Sequence, residues 1–230
     1  MKKTILLIGG SSGIGLTLAK ILQVDHNVIV ASRTKDGLEN LDVTHIMYDV
    51  LQMSPQTLEL PEQIHGFVYL PGSITLRPVK MLDIDTFRKD MEINYFGLVN
   101  TVKYILPKMV EGGSMVFFST VAVGTGMPFH TSVAGAKGAI EGFARALAAE
   151  YAPKIRSNVI APSLVDTPLS SRLLNNERKQ VAMADRHPLK RVGSTEDIAQ
   201  TASFLLSDKS SWMTGQVLGV DGGLSVLNLS

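Results

Sequence analysis

The stretch Thr4-Ile5-Leu6-Leu7-Ile8-Gly9-Gly10-Ser11-Ser12-Gly13-Ile14-Gly15 passes from an unbroken apolar run into a glycine-rich loop, and a helical pattern follows directly. A continuous run of large aliphatic residues suits a strand buried on both faces, as in a parallel sheet. The glycines permit a sharp turn and let the backbone approach a ligand with no Cβ in the way. The helix that opens at Gly13 points its free amide groups and its positive dipole end at that loop, which makes an anion site suited to a pyrophosphate. A glycine-rich turn alone is a weak signal, so the rest of the chain decides how far to credit it.

Short apolar runs alternate with longer helical patterns as far as Val220. Strands are expected near 4–8, 27–31, 45–48, 66–70, 114–119, 156–160 and 217–220, with helices at about 13–23, 83–109, 130–150 and 195–206. This alternation predicts an α/β fold: a Rossmann-like, doubly wound parallel sheet of about seven strands with helices on both faces. No repeat or linker divides the 230 residues, so a single domain spanning 1–230 is expected. The polar, mixed-charge stretch from Pro162 to Gly193 lies beyond the sixth strand, and its 163–193 portion is a candidate lid over the ligand crevice. Its cluster Arg172, Arg178, Lys179, Arg186, His187, Lys190 and Arg191 is diluted by Asp166, Glu177 and Asp185, which favours a solvated face.

With 22 basic against 21 acidic residues and no basic stripe interleaved with aromatics, nucleic acid is not an expected partner. The absence of cysteine removes disulfides and thiolate chemistry, no metal is expected, and the composition suits a reducing cytoplasm. Met1-Lys2-Lys3 and the apolar run after it imitate the start of a signal peptide, but Gly9 to Gly13 interrupt the run too early, so a buried strand is expected. No segment is long enough to span a membrane.

The spacing Gly9…Gly13-Ile14-Gly15 resembles the fingerprint of the short-chain dehydrogenase/reductase family, and further residues match as far as position 223. Asp49-Val50 resembles that family's adenine-contacting pair. Asn94, in Ile93-Asn94-Tyr95-Phe96-Gly97, resembles the helix asparagine that supports a proton-relay water. Pro162-Ser163-Leu164-Val165-Asp166-Thr167 resembles the loop that binds the nicotinamide carboxamide, with Ser163 where glycine is usual. Thr214-Gly215-Gln216-Val217 and Val220-Asp221-Gly222-Gly223 resemble the closing strand. The resemblance implies a nicotinamide dinucleotide held by Gly9, Ser11, Ser12, Gly13, Ile14, Gly15, Asp49, Val50, Gly72, Lys137, Pro162, Val165 and Thr167, a small-molecule substrate, and a homotetramer or dimer. Which dinucleotide follows from charge. An NAD site wants a carboxylate after the second strand, whereas a 2′-phosphate needs a cation; Ser32-Arg33 supplies the cation, so NADP(H) is expected.

The family's reaction centre uses a serine, a tyrosine and a lysine one turn after the tyrosine. Thr120 matches the serine and Lys137 the lysine, but Val133 stands at the tyrosine position. A carbonyl that accepts hydride becomes an alkoxide, and valine can neither protonate it nor donate to it. Losing a positioned general acid typically costs about 10²–10⁴ in rate. His130 shares a helical face with 133 and 137, at the i, i+3, i+7 spacing, and sits at the offset of the active tyrosine in divergent enoyl-thioester reductases of the superfamily, whose glycine loop differs. Tyr69-Leu70-Pro71-Gly72 replaces the family's usual Asn-Asn-Ala-Gly and is expected to form pocket wall. Two readings stay open: a reductase of a carbonyl or activated C=C group with an atypical proton donor, using Lys137, Asn94, Thr120 and His130, and a catalytically silent NADP(H)-binding sensor or structural partner.

Overall fold

The computed structural model describes residues 2–228. Its strands are β1 (Lys3–Ile8), β2 (His26–Ser32), β3 (Val43–Met47), β4 (Ile64–Tyr69), β5 (Met109–Phe118), β6 (Ile155–Pro162) and β7 (Val217–Val220). They form one sheet in the order β3-β2-β1-β4-β5-β6-β7, and every pairing is parallel. The helices are α1 (Gly13–Leu22), α2 (Ile84–Met91), α3 (Gly97–Ile105), α4 (Ala122–Thr125), α5 (Thr131–Tyr151), α6 (Glu177–Asp185) and α7 (Thr195–Leu206). The expected α/β, Rossmann-like architecture is what the chain adopts.

Strand alternation divides the core into two layers. Ile5, Leu7, Val28, Val30, Val68, Val116 and Ile160 face α1 and α7, meeting Leu18, Leu22, Ile198 and Leu205. Leu6, Ile8, Ile29, Phe67, Met115, Phe117 and Val159 face the other way, against Leu98, Val102, Ile140, Ala144 and Leu147 from α3 and α5. Both faces are covered, which explains why these strands read as continuous apolar runs. The strand order reverses between β1 and β4, and their carboxyl ends open the crevice where such sheets bind ligands.

Two expectations need correction. The helix expected over 83–109 is three pieces: α2, a π-helical turn at Glu92–Phe96, and α3. Pro107 lies in the 3₁₀ turn Leu106–Lys108 that ends the run, and the strand expected to start at 114 begins at Met109, with a register shift against β4 and Gly112 at φ 81°. The π turn is fastened from outside the helix, because the Tyr69 hydroxyl donates to the Ile93 carbonyl at 2.7 Å. Burial pushes the Tyr69 phenol far above its ordinary range. A Cβ at Gly97 would lie 2.5 Å from that hydroxyl. Gly97→Ala is therefore expected to cost roughly 1–3 kcal/mol by overpacking, read as a lowered unfolding midpoint in urea; an unchanged midpoint would show that the turn can yield.

The stretch after β6, expected to be a polar lid, is partly ordered as a 3₁₀ helix at Pro168–Leu173 and as α6. Its ends are tied where Asp166 N donates to Gly193 O at 2.8 Å and Gly193 N donates to Leu164 O at 3.0 Å.

Candidate active site

A cleft of about 600 Å³ runs across the carboxyl edge of the sheet. Its floor is the loop after β1. Gly9 (φ 84°) and Gly13 (φ 53°) take left-handed backbone that other residues rarely adopt, and a Cβ at Gly15 would lie 2.5 Å from Gly9 O and 2.8 Å from the Gly10 Cα. The start of α1 is thus packed directly on the loop, with its free amides facing the cleft. Across the cleft stands Thr167, whose Cβ would be 3.5 Å from a Cβ at Gly13. The Thr167 hydroxyl caps the helix at Pro168–Leu173 by accepting from Ser170 N.

At one end, β2 finishes with buried Ser32, and exposed Arg33 follows it. The Ser32 hydroxyl donates to Thr34 O at 2.6 Å, which shapes the turn and leaves the guanidinium as the free group at the lip. Asp49 and Val50 flank the same end, and Asp49 holds its own loop by accepting from Leu51 N at 2.9 Å. All the residues expected to hold the cofactor line this cleft, including Pro162 and Val165, and so do Thr120, His130, Val133 and Lys137.

The residues expected to carry the chemistry lie at the other end. Helix α5 buries Ser132, Val133, Ala136, Lys137 and Ile140 on one face. Lys137 is 8% exposed, and its ammonium donates to Phe118 O at 3.0 Å. Burial lowers its pKa to about 8, and the Asp90 carboxylate acts against that lowering. Thr120 sits at the end of β5 with its hydroxyl accepting from Ala122 N at 3.3 Å, whereas the neighbouring Ser119 turns away to Glu141 at 2.6 Å. His130 is the cap residue of α5, which begins at Thr131. Its Nδ1 donates to Pro128 O at 2.8 Å, leaving Nε2 as the ring atom free for a ligand. Of the expected wall segment, Leu70, Pro71 and Gly72 line the cleft, but Tyr69 is directed at the π turn and is no proton source.

Asn94 does not line the cleft; it is fully buried directly behind the Gly72 wall. Its Nδ2 donates to Ser73 Oγ at 2.9 Å and to Asp90 O at 2.8 Å, while its Oδ1 has no partner. Three residues that sequence reasoning missed surround it. Asp90, 2% exposed, accepts from Ser73 at 2.5 Å through one oxygen and from Ser132 at 2.6 Å through the other. The available signal was adjacency: Ser73 follows Gly72, Ser132 precedes Val133, and Asp90 lies one turn before Asn94 on what should have been a helix's apolar side.

His187 also departs from expectation. The solvated face assigned to it is wrong, because it is 3% exposed and lines the cleft. Its Nδ1 donates to Met183 O at 2.8 Å, which makes Nε2 the acceptor for the Ser163 hydroxyl at 2.9 Å. The serine that replaces the usual glycine thus fastens α6 to the loop after β6. The surrounding cations behave as expected: Arg172, Arg178 and Lys179 are exposed, and exposed Arg191 pairs with Asp197 at 2.6 Å.

Among the described residues no helix is long and apolar enough to cross a membrane. A family profile described as enoyl-(acyl carrier protein) reductase matches residues 10–225. The chain is 31% identical to a 3-oxoacyl-[acyl-carrier-protein] reductase of Thermotoga maritima, with 97% of this chain and 98% of that protein aligned. It is 30% identical to a 2,5-dichloro-2,5-cyclohexadiene-1,4-diol dehydrogenase of Sphingobium indicum, with 98% of each aligned. A solved short-chain type dehydrogenase/reductase from Mycobacterium ulcerans superposes with a TM-score of 0.89 at 28% identity, covering 97% of this chain and 90% of that one. Sequence, topology and the cleft at the strand-order reversal agree, and the chain belongs to the short-chain dehydrogenase/reductase family of oxidoreductases.

Proposed function

We propose that this protein is an NADP(H)-dependent oxidoreductase that reduces a carbonyl or an activated C=C group without the family's tyrosine. The observation that carries the cofactor assignment is the lip after β2, where Arg33 stands free and no carboxylate occupies the strand's end. The residues fit the group: the glycine loop leaves its amides open for a pyrophosphate, Arg33 would meet a 2′-phosphate at the turn that Ser32 shapes, Asp49 and Val50 would border the adenine, and Lys137 with Pro162, Val165 and Thr167 would border the nicotinamide riboside. Bound there, NADPH supplies the hydride. Thr120 then polarises the accepting oxygen by hydrogen bonding, and buried Lys137 adds positive charge where negative charge develops.

The 163–193 excursion acts as the substrate lid, tethered at Val165 and Gly193 and latched by Ser163 and His187. The same reading takes residues 1–230 as one catalytic domain working as a homo-oligomer in the cytoplasm. Val133, 5% exposed and apolar, favours a second reading: an NADP(H)-binding homologue that is catalytically silent. NADPH is expected to bind at least about tenfold more tightly than NADH by fluorescence titration, and Arg33→Ala to remove most of that ratio. Equal affinities in the unaltered protein would sink the assignment. NADPH oxidation with a panel of carbonyl and enone substrates separates the reductase from the silent protein.

A further inference from the structure

Asp90 is a charge enclosed where the fold gives no surface reason for one, and its two oxygens are occupied by the hydroxyls of Ser73 and Ser132. A carboxylate only accepts, so both hydroxyls must donate inward. Ser73 Oγ then takes its remaining hydrogen bond from Asn94 Nδ2. This fixes the Asn94 amide and turns its unpartnered Oδ1 toward Gly72, where a Cβ would lie 3.1 Å from that oxygen and 3.2 Å from Lys137 Nζ. Three elements thus supply one directed chain, Asp90–Ser73–Asn94, whose end and the Lys137 ammonium both border Gly72 with no hydrogen bond between them. Lys137 lines the cleft next to Val133, so with an aliphatic side chain there no phenol stands between the ammonium and a substrate.

We propose that Lys137 is itself the proton donor of this protein, and that Asp90, held by Ser73 and Ser132, is the positioning residue whose charge keeps the ammonium protonated. The inference rests on the oxidoreductase reading above. In the step, the electron pair arrives at the carbonyl carbon with the hydride of the reduced nicotinamide. The C=O π pair moves to oxygen, one Nζ–H bond breaks, an O–H bond forms, and the neutral amine regains its proton from water. The buried ammonium is poised for this, with its pKa lowered to about 8 by burial against the pull of Asp90. Of the other titratable groups nearby, Glu141 of α5 is engaged with Ser119 and Arg145, and Tyr69 with Ile93; His130 uses Nδ1 on Pro128 but keeps Nε2 free, so it is the rival donor that the test must separate.

The test has two readouts. In the ligand-free protein, thermal unfolding followed from pH 6 to 11 should show stability rising once Lys137 loses its proton near pH 8, and Asp90→Asn should move that onset down by about one pH unit. Ser73→Ala, which keeps the charge and cuts the relay, should move it in the same direction by less, and it serves if Asp90→Asn does not fold. In the NADPH-loaded protein, kcat/KM for a carbonyl substrate should fall above the same onset, and the fall should shift with it in each variant. An onset that neither variant moves would overturn the role of Asp90. A kcat/KM flat across the onset, or turnover lost in His130→Ala with the onset unchanged, would overturn Lys137 as donor. Onset shifts as expected without turnover on any carbonyl or enone would instead refute the oxidoreductase reading, and the donor role with it.

Discussion

Lys137→Met is expected to make the ligand-free protein more stable at pH 7 and to abolish turnover. In the fold the Lys137 pKa is lowered from 10.5 to about 8, with burial as the main cause. Below about pH 8 both folded and unfolded chains carry the proton, and the folded chain bears the full penalty of a buried ammonium. Between about pH 8 and 10.5 only the unfolded chain holds the proton, so the stability of the unaltered protein rises with pH. At 1.36 kcal/mol per pH unit, the penalty removed by methionine at pH 7 is at most roughly 3 kcal/mol. The enclosed Asp90 carboxylate, left without its cation, takes back part of the gain. Unfolding curves of both proteins from pH 7 to 10.5 check this: the difference should be largest at pH 7 and vanish by the upper end. Identical curves at pH 7 would show that the amine is not held charged in the fold. Turnover should drop by at least about 10²-fold, because the cation beside the developing negative charge is gone.

Gly15→Ala is expected to disable the cleft by another route. Its Cβ would lie 2.5 Å from Gly9 O and 2.8 Å from the Gly10 Cα, so the atoms in the way are backbone and no rotamer change relieves them. Either α1 lifts from the loop or the loop turns out of its left-handed conformation at Gly9 and Gly13, and both spoil the amide array that would receive a pyrophosphate. Dinucleotide affinity should fall by about 100-fold or more, roughly 3 kcal/mol, by titration calorimetry. Gly135→Ala makes the matching control on α5, because nothing lies within 4 Å of a Cβ there. Retention of full affinity by Gly15→Ala would remove the loop from the binding site.

Much of this was readable in the chain because the information is local. Period and length gave the strands, since residues buried on both faces must be apolar throughout, as Ile5–Ile8 are. The last long helix, expected at about 195–206, spans those residues, and the capping box of Ser194 and Asp197 fixes its start. The middle of the chain was misread where a distant group intervenes. Nothing in Glu92–Phe96 announces a π turn; Tyr69, more than twenty residues away, fastens it. His187 was misjudged for a similar reason, as its neighbours in sequence are exposed cations while its partner Ser163 lies on another element.

The sequence by itself determined the sheet, the glycine-rich loop, the arginine after the second strand and the valine at position 133, because each follows from residue type at a fixed spacing along one segment. Only the tertiary structure decided what surrounds Lys137. Asp90, Ser73 and Ser132 come from three separate elements, and none carries a motif of its own. Their meaning arises from enclosure, since a carboxylate, two hydroxyls and an amide brought together away from water must satisfy one another, and the orientation that results ends beside the lysine.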